Sequence, residues 1–411
     1  DFLAGNPEPA RRLRAAYYRA LALLRSGQQA AGIGALDEIA ARSPDSFWAD
    51  RALWVAATTL LWNAPDEGIA RLERLVAEYP QSQFRPEALY RLGRILTARG
   101  QESRGRWHLA AAADTAPESF YSLRARELTG NFQTTPPGPF ETQRAITPDE
   151  QKQWQAWLVE QQGLDLAEQE RQQAKAAADP RFRRAFALLA AGFTAAGDEE
   201  LRDLADSVAD EPAALVHLAT TAHTEGHIRI AMQLGEQAFE GMEGVRLLEV
   251  PRVLQKLIYP LGFIGLVEPE SRQRALDPLL LTALIRQEST FHTGATSYAD
   301  ARGLTQFMPG TARDMAAALG LTAFETDDLY QPDVAVKFGA HYLAGLLARF
   351  DNNAHLSLAG YNGGPGNVAR WARGGAAGDM DRFVDQIDFS ETRDFVQSVM
   401  MNYTLYRAIY Q

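Results

Sequence analysis

Apolar residues recur every three to four positions along most of the 411-residue chain, as in YYRALALLRSGQQAAGIGALDEIAARSP at residues 17–44. That period predicts amphipathic helices, and the alternation expected of strands is almost absent. In the first third the period is interrupted at regular intervals. Pro44, Pro80 and Pro117 each close a pair of helical runs, with Gly27, Asn63 and Gly100 at the turns inside the pairs. The prolines lie 36 and 37 residues apart, so residues 1–132 read as stacked helical hairpins, none able to bury its apolar face alone. QTTPPGPF at 133–140 breaks the pattern, because Pro136, Pro137 and Pro139 cannot continue a helix, and it predicts a linker over 133–149. Hairpins resume over 150–268, with Gly197 and Gly226 as turn candidates, Pro212 as a breaker, and IYPLGF at 258–263 near their end. From about residue 269 onward, Gly-rich loops carry polar and aromatic side chains, the usual place for a site on a rigid scaffold.

In this last segment, 269–411, LLLTALIRQESTFH at 279–292 sets a carboxyl on an apolar run. Asp277 followed by Pro278 is a helix start, Asp as cap and Pro at the first helical position. On a 3.6-residue period Leu281, Leu284, Ile285 and Glu288 share one stripe, which aims Glu288 at packed protein. Desolvation there raises a carboxyl's pKa by about a unit or more, and a carboxyl that keeps its proton near neutrality can serve as a general acid. The simpler alternative is a structural carboxylate paired with Arg286 or Arg302. SYADARGLTQFMPGTA at 297–312 follows, with Gly303 for a turn, Gln306, Met308 and the breaker Pro309-Gly310. LAGYNGGPGNVARW at 358–371 then places Tyr361 and Asn362 beside Gly363, Gly364 and Gly366, where backbone could approach a ligand closely.

Composition narrows the function classes. With 41 Lys and Arg against 52 Asp and Glu, the formal net charge is -11, which opposes non-specific binding to nucleic acid. The absence of cysteine excludes thiol nucleophiles, disulfides and thiolate metal sites. No apolar run approaches the roughly 20 residues of a transmembrane helix, and no signal peptide is visible. The chain opens at Asp1 rather than Met, which leaves room for a cleaved or omitted signal or lipidation segment ahead of it.

RQESTFH, ARGLTQFMPGTA, AGYNGGPG and FSETRDFV, in that order, resemble the soluble lytic transglycosylase family over about residues 269–411. The helical region before them, including YSLRAREL at 121–128, is similar to the superhelix of the large soluble members. The resemblance implies an all-α protein: a tetratricopeptide-like N-terminal superhelix followed by a goose-lysozyme-like catalytic domain that cleaves peptidoglycan. It further implies that Glu288 is the single acid and base, protonating the oxygen between N-acetylmuramic acid and N-acetylglucosamine and leaving a 1,6-anhydromuramoyl end. Ser289 and Ser297 would hydrogen-bond near the acid and the acetamido group, Gln306 would contact sugar, and Met308 would wall the groove. Tyr361, with Asn362 beside it, would donate to the acetamido carbonyl or the glycosidic region. Glu391 would contact sugar or peptide, Arg393 would be structural, and Ser390 can cap the final helix. The chain departs from the commonest family wording at Thr305 and Phe307, which bears on groove packing.

The resemblance implies no cofactor and no metal. His217, His223 and His227 invite a zinc reading, but TEG between the last pair places a turn there. DNNAHLSLAG at 351–360 lacks the Gly and Glu of a calcium loop. Expected partners are peptidoglycan strands, with the repeats either guiding them as a ring or binding other cell-envelope proteins. The expected location is therefore the periplasm or cell envelope. Two other readings fit the same motifs: a goose-type lysozyme-like hydrolase that admits water, and a helical scaffold whose lysozyme-like domain only binds glycan.

Overall fold

The computed structural model describes residues 9–116, 119–130, 140–242 and 244–411. Pro117, Pro136, Pro137 and Pro139 lie outside the described residues. Among the described residues the regular structure is helical, and pairing is limited to two isolated bridges, Thr296 to Arg302 and Arg302 to Phe307. The chain divides into two compact units, Asp1–Gln133 and Thr134–Gln411.

The first unit is built from α1 (Pro9–Arg25), α2 (Gln29–Arg42), α3 (Ala49–Leu60), α4 (Pro65–Glu78), α5 (Arg85–Ala98), α6 (Glu102–Thr115) and α7 (Phe120–Leu128). Successive helices meet along small residues. A Cβ on Gly93 of α5 would lie 2.6 Å from Leu109 Cγ of α6, so the two backbones approach more closely than an alanine allows. Leu53, Leu72, Leu75 and Leu92 fill the space between hairpins together with Ala40 and Ala57. A bidentate pair from Arg71 of α4 to Asp37 of α2, at 3.0 and 2.6 Å, ties neighbouring repeats at their surface.

The second unit opens with a short helical segment, α8 (Phe140–Gln143), then α9 (Pro148–Gln162), which starts in a capping box of Thr147 and Glu150. The predicted linker thus gives way to helix by residue 140. α10 (Leu166–Ala178), α11 (Pro180–Ala190), α12 (Thr194–Asp206), α13 (Pro212–Thr224) and α14 (Ile228–Glu240) follow. Gly226, with φ of 85°, makes the turn between α13 and α14, and Pro212 opens α13. Gly197 differs from expectation: it lies inside α12, where a Cβ would be 2.5 Å from Leu189 Cγ, and Gly192 makes the turn instead. Its role is close packing, a requirement that local sequence does not separate from a turn. Gly226 also interrupts the helical spacing of His223 and His227, while His217 stacks on Phe182 with ring centroids 6.1 Å apart.

Next come α15 (Arg252–Ile258), α16 (Ile264–Gln273), α17 (Pro278–Ser289), α18 (Pro309–Ala318), α19 (Pro332–Arg349), α20 (Ala354–Gly363), α21 (Pro365–Trp371), α22 (Met380–Gln386) and α23 (Ser390–Tyr410). Pro269 lies inside α16, so a boundary at 269 would cut a continuous helix. α17 is buried on every face from Leu279 to Arg286, the environment of a central helix. α23 packs along it, and Tyr403 donates to Asp277 Oδ2 at 2.6 Å.

Candidate active site

The site is organised around the C-terminal end of α17. Asp277 Oδ1 accepts from the Leu279 N–H at 2.8 Å and Pro278 occupies the first turn, as the sequence predicts. After Ser289 the backbone turns sharply, with Thr290 and Phe291 both left-handed at φ of 48° and 61°. Phe291 is buried against Gly262, where a Cβ would meet its ring at 2.6 Å. The stripe read from the sequence is too narrow a description. The helix is enclosed all round, and Glu288 reaches partial access to solvent only because α17 ends there.

No cation pairs with Glu288 among the described residues. Arg286 turns to Glu236 at 2.7 Å, and Arg302 turns to Asp300 and Asp327 at 2.9 and 2.6 Å. Burial, and secondarily the nearby Glu391 carboxylate, push the Glu288 carboxyl from 4.5 up to about 8. Both causes oppose ionisation, so the group holds its proton at neutral pH and can donate it. Glu288 in turn raises the Tyr361 phenol, whose pKa burial already drives well above its ordinary value. Glu288 on α17, Tyr361 on α20 and Glu391 in the first turn of α23 are therefore electrostatic neighbours drawn from three elements.

The remaining expected residues are placed as follows. The Tyr361 hydroxyl donates to the Thr305 carbonyl at 2.9 Å, which leaves its oxygen with acceptor capacity. Its ring lies among Phe307, Tyr342 and Phe395. Gln306, at φ of 48°, spends its amide N–H groups on the carbonyls of Ala295 and Gly303 at 3.2 and 2.9 Å. It fixes the loop, leaving its oxygen for a ligand. Ser289 is buried and donates back to Ile285 O at 3.1 Å. Ser297 is exposed and its Oγ accepts from the Ala301 N–H at 3.0 Å, closing the 297–301 turn. Met308 is 44% exposed.

Asn362 is exposed, and its Oδ1 accepts from the buried Thr392 hydroxyl at 2.6 Å, which leaves the amide N–H groups to face outward as donors. Thr392 was not among the expected residues. Its signal in the sequence is only its place in the buried period of α23. Ser390 is the first residue of α23 rather than its cap; Phe389 occupies the capping position without a side-chain hydrogen bond. Glu391 is exposed in the first turn, where a carboxylate is favourable.

Gly303 and Gly363 answer to close protein contacts, whereas an added Cβ at Gly364 or Gly366 would meet nothing within 4 Å. At Gly303, with φ of 73°, a Cβ would stand 1.8 Å from the Leu329 carbonyl oxygen, and at Gly363 it would stand 2.6 Å from the Trp371 ring. Thr305 and Phe307 likewise belong to the interior: Thr305 is fully buried against Gly339 and donates to Ala335 O at 2.8 Å, and Phe307 packs edge-on to Phe338. Their departure from the commoner wording adjusts core packing behind the groove. Among the described residues no group of three or more His, Asp or Glu is arranged to hold a metal ion.

Comparison with known proteins places this geometry in context. Residues 265–383 match the transglycosylase SLT domain. A soluble lytic murein transglycosylase of Escherichia coli strain K12 is 34% identical over 152 residues, covering 36% of this chain and 23% of that protein. A putative soluble lytic murein transglycosylase of Haemophilus influenzae is 38% identical over 130 residues, covering 31% and 22%. The chain thus aligns with under a quarter of the length of these curated relatives. Among solved structures, the 70 kDa soluble lytic transglycosylase of Escherichia coli superposes over 98% of this chain and 63% of its own, with a TM-score of 0.63 and 21% identity. An inactive variant of lytic transglycosylase Slt from Pseudomonas aeruginosa covers 90% and 53%, with a TM-score of 0.63 and 22% identity. At such identities these two establish a shared fold.

Proposed function

We propose, from the premise that residues 265–383 are a transglycosylase SLT domain, that the chain is a peptidoglycan lytic transglycosylase with Glu288 as its single acid and base. The observation that carries this reading is a carboxyl without a cationic partner among the described residues, enclosed so that its pKa is pushed up to about 8, with the Tyr361 phenol and the Glu391 carboxylate as its electrostatic neighbours. Glu288 gives its proton to the glycosidic oxygen as the bond to C1 breaks. The muramoyl 6-oxygen then closes on C1, and its proton passes to the Glu288 carboxylate, which restores the starting state. No water is consumed. The positive charge developing at C1 is met by the substrate's own acetamido group, which is why a second nucleophilic carboxylate is not needed.

The hydrogen-bond directions support further roles within this reading. Asn362 presents its amide N–H groups and Tyr361 a lone pair, while Met308 supplies an apolar wall and Ser297 and the Gln306 oxygen offer polar contacts at the loop. Ser289 supports the end of α17, and Glu391 both contacts substrate and discourages ionisation of Glu288. The expected location is the periplasm or cell envelope, where peptidoglycan lies. Among the described residues no helix is long and apolar enough to cross a membrane.

Digestion of purified sacculi followed by mass spectrometry tests the reaction. Muramoyl ends lighter by one water support the lyase, whereas purely reducing ends overturn it in favour of a lysozyme-like hydrolase. Release of no fragments at all leaves only a glycan-binding scaffold.

A further inference from the structure

The guanidinium of Arg286, two residues before Glu288, is almost wholly buried and leaves the opposite side of α17. Its Nη1 donates to Ile258 O at 2.6 Å and lies 2.7 Å from Met232 Sδ, and its Nη2 donates to Glu236 at 2.7 Å. It also sits 4.2 Å from the centre of the Tyr259 ring. Met232 and Glu236 belong to α14 and Ile258 ends α15, so all four partners precede the matched domain, which begins at residue 265. α23 closes the arrangement from behind: Tyr406 meets Tyr259 edge-on and donates to Pro260 O at 3.0 Å, and Tyr410 donates to Tyr259 O at 2.8 Å. A second hold lies just past Glu288, where Phe291 rests on Gly262. His292 is electrostatically linked to the ion pair of Asp198 on α12 and Arg229 on α14.

We propose that the helical layer formed by α14 and α15 is part of the catalytic apparatus, with Arg286 as the positioning residue through which it holds the end of α17 and hence the Glu288 carboxyl. The inference rests on the function proposed above. A buried guanidinium is costly unless it is paired and hydrogen-bonded, and here both its terminal nitrogens bind α17 to elements outside the matched domain. A carboxyl that must reach both the glycosidic oxygen and the 6-hydroxyl in turn tolerates little displacement. A hold on each side of it limits that displacement. It also keeps water from the space around Glu288, which faces the titratable groups Glu391 of α23 and Tyr361 of α20.

The test compares the full chain with Glu236→Gln and Arg286→Lys. Glu236 is only partly buried, so Glu236→Gln is the variant that keeps the fold if Arg286→Lys does not. The expected result is a fall of about tenfold in kcat with KM within about twofold, and an alkaline limb of the pH profile that moves downward from about 8 as water reaches Glu288. Faster amide hydrogen exchange at residues 288–291 should accompany it. Lower thermal stability with kcat, the alkaline limb and exchange all unchanged would overturn the proposal, leaving Arg286 as packing alone. A wild-type chain that releases no anhydro ends defeats the proposed function instead, and the exchange comparison still reports on the hold by itself.

Discussion

The described residues of the first unit and those of the segment from α17 to α23 both take helix as their main regular structure, yet they use the same residue types for opposite ends. In the first unit glycine lets helices approach: Gly93 inside α5 faces Leu109, whose side chain would lie 2.6 Å and whose backbone nitrogen 3.0 Å from an added Cβ. In the second segment Gly303 faces the Leu329 carbonyl, so a side chain there would push backbone against backbone and displace the loop on which Gly303 sits with Thr305 and Gln306. Polar groups divide likewise. Arg71 and Asp37 join repeats at the surface, whereas Gln306, Tyr361 and Thr392 spend their hydrogen bonds on fixing one another's loops. A repeat unit tolerates local change because each hairpin meets only its neighbours. A site assembled from three separated elements does not.

The sharpest break in this comparison is Glu288→Gln, which should lower release of anhydro ends by about 10³-fold while glycan binding persists, measured by sacculus digestion and a separate binding assay. An equal loss from a repeat-unit change would dissolve the distinction. Gly303→Ala comes next, with an expected loss of about 3–5 kcal/mol in chemical denaturation. Gly100→Ala has a similar φ of 77° but nothing within 4 Å of the added Cβ, and should cost only about 1 kcal/mol.

The same Glu288→Gln chain should also change the pH dependence of stability. The folded pKa of Glu288, about 8, lies above its ordinary 4.5, so the native state binds the extra proton. The stability this contributes is complete below about pH 4.5 and is lost as pH rises through 8. The unfolding free energy of Glu288→Gln, measured by chemical denaturation, should therefore gain on that of wild type across that interval and level off above it, by on the order of 3 kcal/mol. Gly93→Ala should cost about 1–3 kcal/mol through overpacking, with catalysis retained. The smallest effect belongs to Thr392→Val. Freed from its partner, the Asn362 amide can rotate, and KM should rise about three- to tenfold with kcat little changed.

Much of this was legible in the chain. The 36-residue spacing of Pro44 and Pro80 gave the hairpins, Asp277-Pro278 marked the start of α17, and the order of four motifs singled out Glu288, Tyr361 and Glu391. The misreadings share one cause. Gly197 as a turn and Gly363 as a ligand approach each take a local preference for a role that a distant partner decides: Leu189 and Trp371 respectively.

The sequence by itself determined that the chain is helical, where its helices begin, and which carboxyl stands on an apolar helix, because helical period, capping and turn chemistry act within a few residues. Only the tertiary structure decided that burial raises the Glu288 carboxyl, that Tyr361 donates to the Thr305 carbonyl while Asn362 accepts from Thr392, and that Arg286 binds α17 to α14 and α15. Desolvation and hydrogen-bond direction are set by atoms far apart along the chain, and no local pattern specifies which of them will meet.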